Sequence, residues 1–452
     1  MEPRNGTNTD TPPIAPARSG ESGRTRGSSR RLVSRRRRRL LGHATRIFDA
    51  SFEKNSPEKK DEGIRLATAS EDASIRVWNV TSASQRCVRT LRSGEKQSDE
   101  EMLRCSWSPS SVSSDKTLLA AGSSLGCVFV WNVDTGETLG RWSAAPVVVA
   151  APGITPVAAE GRDDDDDKEQ IYICCFGPES SLSPPTLLVG GEDTLREVDV
   201  GSMRTRCEWT CKASADVTHG GPRNPDKKNY VFDACYAFDG TAIAVAAADG
   251  AVHLRDLRAK RQVASLLGHR TFVAGCAVDP LGRYVASCAG DGTVCVWDCR
   301  KWSVRSTFKA HDRPAYGCSF LPNVARSAEE EPLLLTWSAD GSVRFWDASL
   351  VEDSTVQLRA VETFKDYPIY SCAIAETHDG LHLACGGGSG KPSGPINPGW
   401  VCDLVDTAVV AHTDGGAASR LERRRRLVRA RQASSGGGTG EGGGGGGGAV
   451  AV

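Results

Sequence analysis

The chain has 452 residues, with 56 basic and 56 acidic side chains, so it is formally neutral and long enough for more than one domain. It has no apolar run long enough to span a bilayer, and its first residues lack the apolar core of a secretory leader, which predicts an intracellular protein, nuclear and/or cytoplasmic, with no membrane partner. Sixteen cysteines include no Cys-x-x-Cys pair and no matching histidine set, so no metal is expected, and free core thiols point to a reducing compartment.

In chain order, residues 1–40 come first with eleven Arg against three acids. With almost nothing to bury, residues 1–37 are expected to be a disordered basic tail. From 38 to 412 short apolar strands alternate with Gly, Asp and Ser turns, the pattern of antiparallel β-structure. Two columns divide this stretch into seven units. One closes each third strand: Trp78-Asn79, Trp131-Asn132, Val198-Asp199, Arg255-Asp256, Trp297-Asp298, Trp346-Asp347 and, degenerately, Cys402-Asp403. The other closes each first strand: Phe52, Trp107, Phe176, Tyr236, Val278, Phe320 and Ile374. The units run approximately 46–92, 102–142, 170–212, 230–268, 272–310, 314–364 and 368–412. Residues 413–452 are expected to be a second disordered tail rich in Arg and Gly. Both tails are basic, so the stretch between them is acidic.

The unit from Leu266 to Thr307 is the most complete. It contains Gly268-His269, Asp279-Pro280-Leu281-Gly282, Tyr284-Val285-Ala286-Ser287, Asp291-Gly292 and Trp297-Asp298. In motif and spacing it resembles a WD40 repeat. The resemblance implies an all-β protein, a seven-bladed WD40 β-propeller between disordered Arg-rich tails, with the subfamily not identified. The last blade then needs a fourth strand. Arg38–His43 and Thr407–His412 compete for that place, and the first is favoured because Gly42-His43 runs straight into blade 1. The resemblance also assigns a bracing set of hydrogen-bonding side chains to three blades. These are His43, Thr68, Asp72 and Trp78; His269, Ser287, Asp291 and Trp297; and His311, Thr336, Asp340 and Trp346. Three copies of one constellation argue for structure rather than for a catalytic triad.

A partner-binding column stands four residues before each opening-strand anchor, near the mouth of the central channel. It reads Phe48, Leu103, Tyr172, Phe232, Ala274, Tyr316 and Tyr370. Its five aromatics, Phe48, Tyr172, Phe232, Tyr316 and Tyr370, form a candidate collar, because aromatic rings supply contact area at low entropic cost. Glu95, Asp99, Glu100, Glu101 and the run Asp163–Asp167 belong to loops of the same face and favour a basic peptide. Trp297, Asp298 and Arg300 resemble the Trp-Asp-x-Arg motif of propellers that serve as substrate receptors of cullin-RING ubiquitin ligases. Gly386–Lys391 fails as a phosphate loop because Pro392 stands where Ser or Thr is required. No catalytic motif and no cofactor fingerprint appears.

The expectation is a non-enzymatic scaffold or adaptor that docks peptides or proteins in a multiprotein complex, with no small-molecule substrate. The alternatives are a ubiquitin-ligase substrate receptor, or an RNA-associated component of a ribonucleoprotein that makes non-specific nucleic-acid contact through its arginine tails.

Overall fold

A computed structural model describes residues 32–53, 64–80, 85–93, 100–109, 116–144, 169–178, 185–212, 228–237, 240–321, 332–347, 357–364, 367–377, 380–388 and 399–406. The described residues contain no α-helix; their strands form seven four-stranded antiparallel sheets. The innermost strands are β2 (Ile47–Phe52), β6 (Met102–Trp107), β10 (Ile173–Phe176), β14 (Val231–Ala237), β18 (Val273–Val278), β22 (Ala315–Phe320) and β26 (Ile369–Thr377). Each touches the next, and β26 returns to β2, so the sheets stand around a common axis as a β-propeller. Six sheets are meanders running outward from these strands. They end in β5 (Gln85–Arg92), β9 (Thr138–Ser143), β13 (Arg204–Thr210), β17 (Arg261–Leu267), β21 (Ser303–Lys309) and β25 (Gln357–Thr363).

The second and third strands are covered on both faces by neighbouring blades, so most of their side chains are buried. Leu118–Ser123 and Cys127–Asn132 are buried along their whole length. The core therefore lies between the sheets: Ala67, Ile75 and Val77 of one blade pack with Cys105, Leu119 and Phe129 of the next. One position on each innermost strand accepts only a small side chain. Cys105, Cys174, Cys276, Cys318 and Cys372 fill it in five blades and Ala50 and Ala234 in two, all between 4 and 7% exposed, and the thiols are free.

The final sheet is closed by the N-terminal segment. Strand β1 (Leu32–Arg39) pairs antiparallel with β28 (Gly399–Asp406), placing Leu32 opposite Asp406, Arg36 opposite Asp403 and Arg39 opposite Trp400. Residues 32–37, expected to belong to the tail, therefore lie in the closing strand, which begins six residues before Arg38–His43 and overlaps it at Arg38 and Arg39. An outermost strand pairs on one side only and faces water, so a run of arginines fits it as well as an apolar run would. Leu40, 2% exposed, follows the strand and packs with Leu66, Trp78 and Val401, and its N–H donates to the Gly399 carbonyl at 3.0 Å. Thr407–His412 and the tail at 413–452 lie outside the described residues.

The bracing sets have definite geometry. His43 Nδ1 is 2.9 Å from Asp72 Oδ2, its Nε2 is 2.8 Å from Thr68 Oγ1, and Trp78 Nε1–H donates to the same Oγ1 at 2.9 Å. One neutral imidazole satisfies the whole chain: Nδ1–H donates to Asp72 and Nε2 accepts from Thr68. His311 repeats the arrangement with Asp340, Thr336 and Trp346 at 3.0, 2.8 and 2.9 Å. In the third set the expectation needs correction. His269 reaches Ser287 at 2.8 Å, but its Nδ1 faces Thr293 Oγ1 at 3.2 Å, and that hydroxyl donates to Asp291 at 2.6 Å. The Thr293 hydroxyl therefore stands between the ring and the carboxylate. A further blade solves the same problem differently. His253, on the third strand, is 3.0 Å from Asp249 and 3.1 Å from Ser265, where Arg255 replaces the indole and lies 5.7 Å above the Trp209 ring.

The turn between third and outermost strands ends in a left-handed residue. In one blade it is Gly136 at φ +81°, but Met203, Lys260 and Trp302 hold the same place at 50–52°. A side chain at that backbone angle is strained.

Candidate functional site

Innermost strands are locked to their neighbours by a register shift at one point. The shift falls between Ile47 and Asp49, Met102 and Arg104, Val231 and Asp233, Val273 and Gly275, Ala315 and Gly317, and Ile369 and Ser371. The residue omitted from each ladder is Phe48, Leu103, Phe232, Ala274, Tyr316 or Tyr370. These are the collar positions. A β-bulge leaves its extra residue unpaired and redirects its side chain, so the sequence column coincides with a backbone device that turns a side chain out of the sheet. The seventh member, Tyr172, immediately precedes the shortened β10, and its N–H donates to Gly190 at 2.9 Å.

The rings form two arcs. Phe48 lies 6.0 Å from Tyr370, which lies 5.6 Å from Tyr316. On the other side Tyr172 lies 6.4 Å from Phe232, which lies 5.5 Å from Phe272. All five predicted aromatics are half-buried, and Phe272 is 39% exposed. Phe272 extends the second arc where Ala274 is too small; its signal in the sequence was an aromatic two places before a gap in the column. Leu103 separates the arcs on the opposite side.

Charges gather at the Leu103 gap. Arg46 stacks 5.8 Å from the Phe48 ring and pairs with Glu71 at 2.5 Å. Hydrogen bonding and charge from Glu71, with a further bond to Tyr370, hold the Arg46 guanidinium firmly protonated against the opposing effect of burial. Glu101 stands two residues before Leu103, and its carboxyl is raised by burial and by the Glu71 charge, with Arg46 acting in the other direction. Glu100, in contrast, is buried and accepts the Ser123 hydroxyl at 2.6 Å, which makes it part of the framework. Glu95, Asp99 and Asp163–Asp167 lie outside the described residues.

Beneath the collar, Arg104 of the second blade reaches three others. Its Nε donates to the Tyr172 carbonyl at 2.8 Å and a terminal nitrogen to the Phe232 carbonyl at 3.3 Å, with Asp49 and Asp233 carboxylates 3.8 and 3.7 Å away. Two collar residues are thus fixed through their backbones by one side chain. Sequence reasoning passed over it; the available signal was a column one residue after the collar that carries charge in otherwise apolar strands.

The antiparallel order puts the turns after the third strands on the opposite face. There Trp297 is buried, its Nε1–H donating to Ser287 at 3.0 Å, and Asp298 accepts the Arg300 N–H at 2.8 Å. The Arg300 side chain is 77% exposed and only skirts Asp298 at 3.5 Å. Of the three residues of the Trp-Asp-x-Arg motif, two hold the blade together and one faces solvent.

The described residues contain no helix long and apolar enough to cross a membrane. A repeated ring of small antiparallel sheets, braced by His, Ser or Thr and Trp, defines a repeat propeller. The family pattern "WD domain, G-beta repeat" matches residues 34–79 and 260–298, so these two stretches carry WD40 repeats. It is 23% identical over 361 residues to the apoptotic protease-activating factor 1 of Danio rerio, covering 68% of this chain and 27% of that protein. It is 29% identical over 131 residues to nucleoporin SEH1 of Saccharomyces cerevisiae, 27% of this chain and 36% of the relative. Over 71 residues it is 30% identical to a component of chromatin assembly factor 1 of Mus musculus, 16% of this chain and 12% of the relative. The chain thus spans about an eighth to a third of the length of these curated relatives.

Proposed function

We propose that this seven-bladed propeller is a non-enzymatic scaffold of the cell interior that captures a basic peptide or protein segment on its collar face. The observation that carries the reading is the coincidence of the collar with the bulge column: six register shifts fall at Phe48, Phe232, Tyr316 and Tyr370, with Leu103 and Ala274. Bulges of this kind re-aim side chains at binding sites, and half-exposed aromatics are the usual anchors of such a surface. Glu101, pressed upward by burial beside the gap between the two arcs, gains from an incoming Lys or Arg that neutralises it. Intracellular scaffolding also agrees with the names of the nucleoporin and the chromatin assembly factor among the relatives.

The test compares the intact protein with the triple variant Phe232→Ala, Tyr316→Ala, Tyr370→Ala by affinity purification and mass spectrometry, after thermal melts show that both fold. Loss of a discrete set of partners supports the collar; an unchanged set removes it. A second reading, attachment to a ligase adaptor, is favoured by the exposure of Arg300 alone. Unchanged adaptor recovery with Arg300→Ala would end it.

A further inference from the structure

The charge of this neutral chain is sorted by radius. The seven innermost strands carry Arg104 against Asp49, Asp233 and Glu376. The seven outermost strands, β1, β5, β9, β13, β17, β21 and β25, carry fifteen Arg and Lys against Glu208 and Glu362. A cation or two on an exposed edge already prevents pairing with another chain, so edge protection does not account for five arginines on β1 and three on β5. Two of these cations are held in place by carbonyls. Arg89 donates to the Asp134 and Thr135 carbonyls at 2.7 and 3.0 Å, and Arg92 to the Asp72 carbonyl at 3.3 Å. A carbonyl partner fixes a cation and leaves its charge available, whereas Arg206, paired with the Asp199 carboxylate, is spent.

We infer that this outer rim binds the phosphodiester backbone of single-stranded nucleic acid without regard to sequence. The belt runs around the perimeter of the ring. A flat bilayer meets a disc edge along one short arc, while a flexible polyanion follows the curve and engages several blades at once. The rim also offers an aromatic platform. Trp302, at the head of β21 beside Arg300 and Lys301, is 37% exposed and held at φ +52°, a backbone angle that costs stability for so bulky a residue. An exposed indole among cations is the combination on which unpaired bases stack. This surface is separate from the collar and does not depend on what the collar captures.

The probe is a fluorescein-labelled poly(U) of about thirty nucleotides, followed by anisotropy with the full chain across a salt series. The variant carries Arg86→Glu, Arg204→Glu and Arg261→Glu, three exposed residues on three different outer strands. We expect the protein to bind poly(U), and the variant to bind at least about tenfold more weakly at about 100 mM salt, with a log–log salt slope shallower by about two. The lysine triple at the same sites should bind like the parent, and the collar triple alanine variant should keep full poly(U) affinity. If thermal melts show the glutamate triple unfolded, the glutamine triple takes its place. Absence of poly(U) binding, equal binding by the parent and the charge variant, or capture of phosphatidylserine vesicles in preference to poly(U) would each overturn the inference.

Discussion

Asp49 accepts the backbone N–H of Cys105 at 2.9 Å, and its other oxygen accepts the Ser371 hydroxyl at 2.7 Å. Ser371 in turn takes the Ala50 N–H at 3.1 Å, so a single carboxylate joins the last, first and second blades at the axis. Asp233 does the same for the Cys276 N–H at 3.1 Å. Removing Asp49 strands a buried amide and a buried hydroxyl and leaves Arg104 short of a counter-charge. Asp49→Ala is expected to cost about 3 kcal/mol in urea unfolding, and Asp49→Asn, which keeps an acceptor, markedly less.

The bracing histidines make stability depend on pH. Burial pushes His269 down to about 4, and it also lowers His43, against the pull of Asp72. A histidine whose folded-state pKa lies below its unfolded value stabilises the fold when neutral, above pH 6.5, and loses that contribution as pH falls toward 4. Burial raises Asp72 and Asp340, but hydrogen bonds from their histidines and serines outweigh it and hold both carboxyls far below the usual range, so their contribution is lost only below about pH 4. The melting temperature should therefore begin to fall near pH 6.5 and keep falling through pH 4. His269→Gln should flatten the upper part of that decline; an unchanged profile would rule out the assignment.

Lys260 is exposed and holds a left-handed backbone at φ +52°, in the place that Gly136 takes in another blade. Lys260→Gly should therefore raise stability by about 1 kcal/mol, contrary to the usual cost of introducing glycine. Gly136→Ala should lower it by a similar amount. Chemical denaturation of the two variants measures both.

A chain beginning at Leu32 keeps β1, whereas one beginning at Leu40 leaves the outer edge of β28 unpaired. The first truncation should melt with the full chain. The second should melt several degrees lower and self-associate on size-exclusion chromatography, because an open strand edge recruits another.

The collar column and the two-column framework were legible because each depends on a side-chain type recurring at a fixed place, and the period survives insertions between blades. The bulges beneath the collar were not, because one unpaired residue leaves no compositional trace. Residues 32–37 were read as tail for a physical reason: a Ser- and Arg-rich segment has the composition of a disordered tail, and only its partner strand, more than 350 residues away, pairs it into a sheet. His253 went unnoticed because its chain of partners uses Ser265 on the outer strand in place of a serine or threonine on the second.

The pairing of β1 with β28 also sets an order of events during synthesis. Leu32–Arg39 leaves the ribosome more than 350 residues before Gly399–Asp406, so at about 5–20 residues per second the arginine strand waits tens of seconds without a partner. An apolar strand exposed for that interval on every ribosome of a polysome would pair with its copies. Five consecutive arginines repel their copies instead, so the same charge that lets the strand lie at a solvent edge keeps it single until Gly399–Asp406 has been made.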